Sequence, residues 1–269
     1  MAPRQIFFTH VMKTGGTSLS HSFRSVLPTE SIYPAEGSDL GQVTAKTFSH
    51  LLIGLDPAKR REFRLINVHQ PAWVATAVAP DALRLTVLRE PIARTISHLR
   101  QIARSLGIPG DLEAVYADEG WRSRLRNYQS QLFADTQERN ERHAGLGDAL
   151  GDDDEAKAAL QEGLGQFWST GIARPMEIGE EEYTRAARVL DSYDGVGVTE
   201  RLDDMVGLTV ALTGLPLPPA PRSNVSDESS EESSELLDRI AADTEYDSRL
   251  YAHACALAAR QAEPRGRIH

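Results

Sequence analysis

Three short runs of apolar and β-branched residues in the first part of the chain predict buried strands. One run begins at Ile6, the second covers Leu65–Val68, and the third covers residues 85–88. Strands that alternate with helical segments favour a parallel sheet, in which ligands lie at the carboxyl ends of the strands. The pattern therefore predicts an α/β fold in which the segments after these three strands share one rim.

Helical spacing dominates the rest of the chain, apart from one further strand that we expect at residues 193–198. The predicted helices cover residues 19–27, 47–55, 57–62, 73–79, 92–103, 111–133, 180–190, 202–212, 236–243 and 248–260. Loops are expected at residues 28–39, 145–155 and 215–221, which are rich in proline, glycine, serine or acidic residues. A chain of 269 residues can bury one α/β core with a helical elaboration. We therefore predict a single domain over residues 1–269 with a helical C-terminal half.

The segment directly after the first strand has the composition of a phosphate-binding loop. It contains Lys13, Thr14, Gly15, Gly16, Thr17 and Ser18. Glycines allow a sharp turn and a close approach to a ligand, and the N–H groups at the start of the following helix attract anions. The lysine adds a positive charge and the three hydroxyl groups add donors. The nucleoside-triphosphate loop is different, because its lysine follows the glycines rather than preceding them.

A second motif follows the strand at residues 85–88. Arg89 stands at the strand's carboxyl end, Glu90-Pro91 begins a helix, and Ser97 lies about two turns into that helix. An arginine fork suits a phosphate that must be recognised by its shape as well as its charge.

The two motifs in this order resemble those of sulfotransferases that use 3′-phosphoadenosine 5′-phosphosulfate. The resemblance implies a P-loop-like parallel sheet flanked by helices, with the loop at residues 13–18 on the 5′-phosphate. It also implies that Lys13 stabilises the leaving phosphate and that Arg89 and Ser97 hold the 3′-phosphate. Those enzymes have aspartate where this chain has Glu90.

Further segments resemble the branch of the family that sulfates carbohydrates, as the uronyl 2-O-sulfotransferases do. That branch has a catalytic histidine between the two motifs, which implies that His69 is the base, and histidine suits proton abstraction near neutral pH. Residues 127–129 resemble its Asn-x-Gln segment and residues 196–200 its Val-Gly-x-Thr-Glu strand. A late polar loop in relatives implies that Arg222 and Ser226 lie near the phosphates. The implied acceptor is a hydroxyl group of a carbohydrate or glycoconjugate, and the scheme requires no metal.

Composition narrows the partners and the location. The net charge of −10 argues against nonspecific binding to nucleic acid. No run of about 18 apolar residues could span a membrane, and we expect no signal peptide because the first strand begins almost at the N-terminus. The lone cysteine, Cys255, cannot form an internal disulfide, so a cytoplasmic protein is expected.

Two other functions are compatible with the same residues. A small-molecule kinase with a variant phosphate loop would need ATP, Mg²⁺ and a carboxylate at a strand end, for which Glu90 is the candidate. A protein that binds 3′-phosphoadenosine nucleotides without catalysis would need Arg89 and Ser97, but neither Lys13 nor His69. His10 is interpreted as a support for the loop.

Overall fold

A single parallel sheet forms the centre of the protein in the computed structural model, which describes residues 4–34, 52–139, 172, 175–221 and 232–262. The strands described are β1 (Ile6–Thr9), β2 (Ile32–Tyr33), β3 (Leu65–Val68), β4 (Leu83–Leu88) and β5 (Gly195–Val198). Their order in the sheet is β2-β3-β1-β4-β5, and all four pairings are parallel. The predicted α/β class and the four predicted strands are confirmed.

Helices connect the strands and make up most of the described part of the C-terminal half. Those described are α1 (Gly16–Arg24), α2 (Pro57–Glu62), α3 (Trp73–Val78), α4 (Pro91–Ser105), α5 (Leu112–Ala117), α6 (Glu119–Leu125), α7 (Tyr128–Ala134), α8 (Glu180–Asp191), α9 (Leu202–Thr213), α10 (Ser234–Asp243) and α11 (Glu245–Ala262). Short 3₁₀ turns cover Thr29–Ser31 and Thr199–Arg201. No helix among these combines the length and apolar character needed to cross a bilayer.

The central strand β1 sets the position of the site. Its last residue, Thr9, is paired with Val68 of β3 on one side and with Thr86 of β4 on the other. The chain first builds β2 and β3 on one side of β1 and then crosses to build β4 and β5 on the opposite side. In open parallel sheets such a reversal creates a crevice at the carboxyl ends of the strands, where ligands bind.

Helices cover both faces of the sheet. Successive side chains of β1 point to opposite faces. Phe7 joins the cluster that contains Val74 of α3, while Phe8 joins the cluster that contains Phe23 of α1 and Met205 of α9. All four residues of β1 are buried, as expected for a strand packed on both sides.

The sheet extends into the C-terminal half through β5. Val196 and Val198 pack in one cluster with Phe133 of α7, Leu190 of α8 and Leu250 of α11. Strands from both halves of the chain therefore share one sheet. The boundary of the single domain at residues 1–269 stays a prediction.

Two predicted elements were wrong. The expected loop at residues 28–39 contains β2, which is only two residues long and so leaves no detectable periodicity. The expected helix at residues 111–133 is three helices, interrupted by the extended backbone of Asp118 and the left-handed backbone of Asn127, whose φ is 45°. The Asp118 carboxylate caps α6 by accepting from the Trp121 N–H, at 3.0 Å. The apolar spacing continues across the break at Asp118 because Val115 and Leu125 pack in the same cluster.

The other predicted helices in the described residues agree with the structure to within a few residues. The predicted acidic loop at residues 145–155 and most of the predicted helix at residues 47–55 lie outside the described residues.

Candidate functional site

A cavity of about 1050 Å³ opens at the carboxyl ends of β1, β3 and β4. Residues from both predicted motifs and the histidine between them line it. They are Lys13, Gly15, Gly16, Thr17, Ser18, His69, Arg89 and Ser97. The topology thus brings together residues that are more than eighty positions apart in the chain.

The turn before α1 and the first residues of the helix line this cavity. Gly15 has a left-handed backbone with φ 78°, which a glycine adopts without strain, and no side chain caps the helix that begins at Gly16. The first N–H groups of a helix have no acceptor within the helix. Together with the positive end of the helix dipole they form a site suited to a phosphate.

Thr14 supports the loop from inside. Its hydroxyl is fully buried and donates to the Val11 carbonyl at 2.8 Å, and its side chain does not line the cavity. The hydroxyl groups of Thr17 and Ser18 belong to residues that do line the cavity. Of the three predicted hydroxyl donors, that of Thr14 is therefore used within the loop itself.

Gly16 is required by its neighbour His10. A Cβ atom at position 16 would overlap the imidazole ring of His10. His10 is buried and stacks on Phe8 with 5.3 Å between ring centroids. His10 therefore packs beneath the start of α1, in agreement with its interpretation as a support for the loop.

Lys13 lies partly buried in the cavity wall and has a left-handed backbone, with φ 68°. Burial lowers the pKa of its ammonium group, and the positive charges of Arg104, Arg89 and Arg94 lower it further. A cluster of cations around Lys13 favours an anionic ligand, because the ligand's charge would offset both the burial and the mutual repulsion.

Arg89 connects the second motif to the first. Its Nη1 group donates to the Lys13 carbonyl oxygen at 3.2 Å, so the guanidinium lies against the loop at residues 13–18. Ser97 lines the same cavity from α4, which begins directly after Glu90. The two residues that the sequence paired by spacing thus face one cavity.

His69 follows β3 and lies against His10. Its Nδ1 atom is 2.7 Å from the His10 carbonyl oxygen, and the two rings are 4.3 Å apart between centroids. A carbonyl oxygen only accepts, so Nδ1 carries the proton and the acceptor lone pair of the neutral ring is at Nε2. This tautomer is the one that a general base needs if its Nε2 atom faces the reacting group.

The Glu90 carboxylate is used by its own helix. One oxygen accepts from the Ile92 N–H at 3.1 Å and the other from the Ala93 N–H at 2.7 Å. The strand-end carboxylate that the kinase alternative assigned to Mg²⁺ therefore caps α4. Within the described residues, no three histidine, cysteine or acidic side chains are grouped as metal ligands would be.

The structure adds residues that sequence reasoning had not placed in the site. Thr199 donates from its hydroxyl to the Thr14 carbonyl at 2.7 Å and also lies 3.1 Å from the Leu88 carbonyl, so it ties the loop to the end of β4. Arg100 and Gln101 line the cavity one turn beyond Ser97. The only sequence signal for Thr199 was the resemblance of residues 196–200 to a family segment. Arg100 could have been placed in the site because it lies about one helical turn after Ser97.

The remaining predicted ligands, Arg222 and Ser226, lie outside the described residues, so their role stays a prediction.

No protein-family model and no curated protein matches this chain. A functional assignment therefore depends on the residues of the site.

Proposed function

We propose that this protein is a sulfotransferase that moves a sulfuryl group from 3′-phosphoadenosine 5′-phosphosulfate to a hydroxyl group. The observation that supports the proposal is the convergence of Lys13, the loop at residues 15–18, His69, Arg89 and Ser97 on one cavity. This set supplies two separate phosphate contacts and a base. A nucleotide with phosphates at both its 5′ and 3′ positions needs two such contacts.

The proposed binding mode follows from the positions of the donors. The N–H groups at the start of α1 hold the 5′-phosphate, and Lys13 lies beside the oxygen that bridges phosphorus and sulfur. Arg89 and Ser97 hold the 3′-phosphate from the end of β4 and from α4. With this binding mode, the α/β fold of the protein would be that of the sulfotransferases.

The reaction step transfers the sulfuryl group in line. The bond between sulfur and the bridging oxygen breaks as a new bond forms between sulfur and the acceptor oxygen. The acceptor's proton moves to Nε2 of His69, and the electron pair of the broken bond stays on the 5′-phosphate. Lys13 stabilises the negative charge that develops there, as donors do in phosphoryl transfer.

For the acceptor, we propose a carbohydrate or glycoconjugate hydroxyl. This part rests on the likeness of residues 127–129 and 196–200 to segments of the carbohydrate-sulfating branch. A panel of oligosaccharide acceptors incubated with the sulfuryl donor would test it. Transfer to none of them, but to a lipid or small phenol, would replace the carbohydrate by that acceptor.

Calorimetric titration of the protein tests the nucleotide. We expect tight binding of 3′-phosphoadenosine 5′-phosphate and weak binding of ATP with Mg²⁺. Adenosine 5′-phosphate should bind about tenfold more weakly or worse, because a hydrogen bond to a charged group contributes about 1.5–3 kcal/mol.

The two alternatives give different results in the same experiments. A preference for ATP with Mg²⁺ would replace the sulfotransferase by the kinase. Tight binding of the 3′-phosphorylated nucleotide without transfer, unchanged in Lys13→Ala and His69→Ala variants, would indicate the non-catalytic binding protein.

A further inference from the structure

The backbone of Arg89 is held by a side chain forty residues further along the chain. The Nε2 group of Gln129 donates to the Arg89 carbonyl oxygen at 2.9 Å, and the Arg89 N–H donates to the Gln129 Oε1 at 3.0 Å. One primary amide thus satisfies both backbone groups of Arg89, as a neighbouring strand would do. Gln129 has no exposed surface, so water does not compete for these bonds.

Gln129 is fixed in turn by the last helix. The Asp247 carboxylate accepts from the Gln129 N–H at 3.0 Å and from the Ser130 N–H at 2.7 Å. The Asp247 N–H donates to the side-chain oxygen of Asn127 at 3.0 Å. Asp247 is 1% exposed, and its carboxylate lies where the first N–H groups of α7 point. The start of α7 therefore cannot shift without breaking several buried hydrogen bonds.

These contacts hold the Arg89 backbone at one end, while the guanidinium at the other end donates to the Lys13 carbonyl. An arginine held at both its backbone and its head presents its remaining N–H groups in one direction. Recognition of a phosphate by an arginine fork depends on such a fixed direction, and a displacement of about 1 Å can cost about a hundredfold in a positioned reaction.

We propose that Gln129 is the positioning residue for Arg89, and that through it the pair Asp247–Gln129 sets the discrimination between 3′-phosphorylated and unphosphorylated nucleotides. The inference rests on the proposed function, because it assigns the 3′-phosphate to Arg89. Gln129 touches no ligand in this scheme. It acts through the backbone of the residue that does.

The chain contains a matched control two residues further along α7. Gln131 is also buried, and its amide also bonds only to backbone groups: it donates to the Ser123 and Arg126 carbonyls and accepts from the Met176 N–H. It has no hydrogen bond to Arg89 in the described structure. Gln129→Met removes two and Gln131→Met three buried bonds from a side-chain amide to backbone groups, but only the first releases Arg89.

The experiment measures the affinities of 3′-phosphoadenosine 5′-phosphate and adenosine 5′-phosphate for the wild-type protein and both variants. We expect Gln129→Met to lose about tenfold or more of the wild-type preference for the 3′-phosphorylated nucleotide, and Gln131→Met to keep it. Both variants should lose similar stability towards urea. An unchanged preference in Gln129→Met, or an equal loss in both variants, would overturn the positioning role.

A conservative variant provides a rescue and a second test if Gln129→Met does not fold. In Gln129→Glu, the protonated side chain has one acceptor and one donor, as glutamine has, while the ionised side chain only accepts. Burial raises the pKa of such a carboxyl. The preference should therefore return towards that of wild type as the pH falls, and a preference that stays below that of wild type even at about pH 5 would contradict the proposal.

The nucleotide preference of the wild-type protein distinguishes a failure of the proposed function from a failure of the positioning role of Gln129. If it does not prefer the 3′-phosphorylated nucleotide, the proposed function fails, and the role of Gln129 fails with it. If wild type shows the preference and Gln129→Met retains it, the function stands and only the positioning role is wrong.

Discussion

At the scale of single residues, Lys13 combines features that make its charge sensitive to a ligand. It is a non-glycine residue with a left-handed backbone, it is partly buried, and three arginines lower its pKa further. A left-handed backbone at such a residue costs on the order of 1 kcal/mol and persists only where the surroundings impose it. Here Arg89 accounts for part of that constraint, since it donates to the Lys13 carbonyl.

The lowered pKa of Lys13 predicts that nucleotide binding takes up protons. Phosphate charges beside the ammonium raise its pKa in the complex. At a pH below the pKa that Lys13 has in the free protein, its side chain is already charged. At a pH between this value and the higher pKa that Lys13 has in the complex, binding must add about one proton. Affinity should therefore fall as the pH rises through this window. Calorimetric titration with 3′-phosphoadenosine 5′-phosphate in buffers of different ionisation enthalpy measures the number of protons taken up on binding. The titrations are done above about pH 7.5, where the phosphates of the nucleotide are already ionised.

Lys13→Arg is the control for this prediction. Arginine keeps the positive charge and stays protonated throughout the accessible pH range. The proton uptake and the fall in affinity should both disappear in this variant. If they persist unchanged, another group takes up the proton and the assignment to Lys13 is wrong.

At the scale of elements, the turn between β1 and α1 is built around one close approach. Gly16 lies against the ring of His10, and the carbonyl of His10 accepts from Nδ1 of His69. The start of α1 thus contacts His10, and His10 contacts His69, the proposed base. We therefore expect a displacement of the start of α1 to reach His69 through His10.

Gly16→Ala should disturb this whole arrangement. Its Cβ atom would overlap the His10 ring, and overpacking of this kind typically costs about 1–3 kcal/mol of stability. Nucleotide affinity should fall as well, because the helix start moves relative to Lys13. Urea denaturation and calorimetric titration measure the two effects.

Gly207→Ala provides the matched control, since Gly207 lies inside α9 and a Cβ there would meet no atom within 4 Å. Alanine in a helix interior is favoured over glycine by about 0.5–1 kcal/mol, so this variant should be slightly more stable and should bind normally. Equal stability of Gly16→Ala and wild type would show that His10 does not occupy this position.

At the scale of the whole molecule, Asp243 joins elements that are distant in the chain. Its carboxylate accepts from the Tyr116 hydroxyl of α5 at 2.8 Å and from Nε of Arg122 of α6 at 2.6 Å. Its backbone carbonyl accepts from the Asn127 N–H at 3.0 Å, just before α7. Although burial alone would raise the pKa of Asp243, the hydrogen bonds from Arg122 and Tyr116 outweigh it and hold the pKa below its usual value.

Asp243→Asn should therefore destabilise the protein by about 1.5–3 kcal/mol at pH 7, the contribution of charge-assisted hydrogen bonds. A carboxylate with a lowered pKa in the folded state stabilises above its unfolded pKa, and that stability is lost as the pH falls. The difference in urea stability between wild type and variant should thus shrink as the pH falls below about 4. A difference in urea stability between wild type and Asp243→Asn that stays constant with pH would contradict this account. Asp238 is exposed on the same helix, so Asp238→Asn should have the stability of wild type at each pH.

Much of the fold could be predicted because its signals are local. The strands at Leu65–Val68 and 85–88 are short apolar runs, and Pro91 after a strand indicates a helix start. The breaks at Asp118 and Asn127 were missed because the apolar spacing continues through them. The capping bond of Asp118 and the left-handed turn at Asn127 are choices of backbone that the spacing does not encode.

The sequence by itself singled out the residues to which we assign the proposed chemistry, namely the loop at residues 13–18, Arg89, Ser97 and the candidate His69. Their types, and their spacing after apolar runs, depend on contacts within a few residues, where periodicity and backbone sterics decide. Only the tertiary structure decided how these residues are held. The bond of Thr199 to Thr14, that of Gln129 to Arg89 and the tautomer of His69 each join segments that are far apart in the chain. Such partners are selected when the strands assemble and the buried polar groups must all be paired, which no short stretch of sequence can specify.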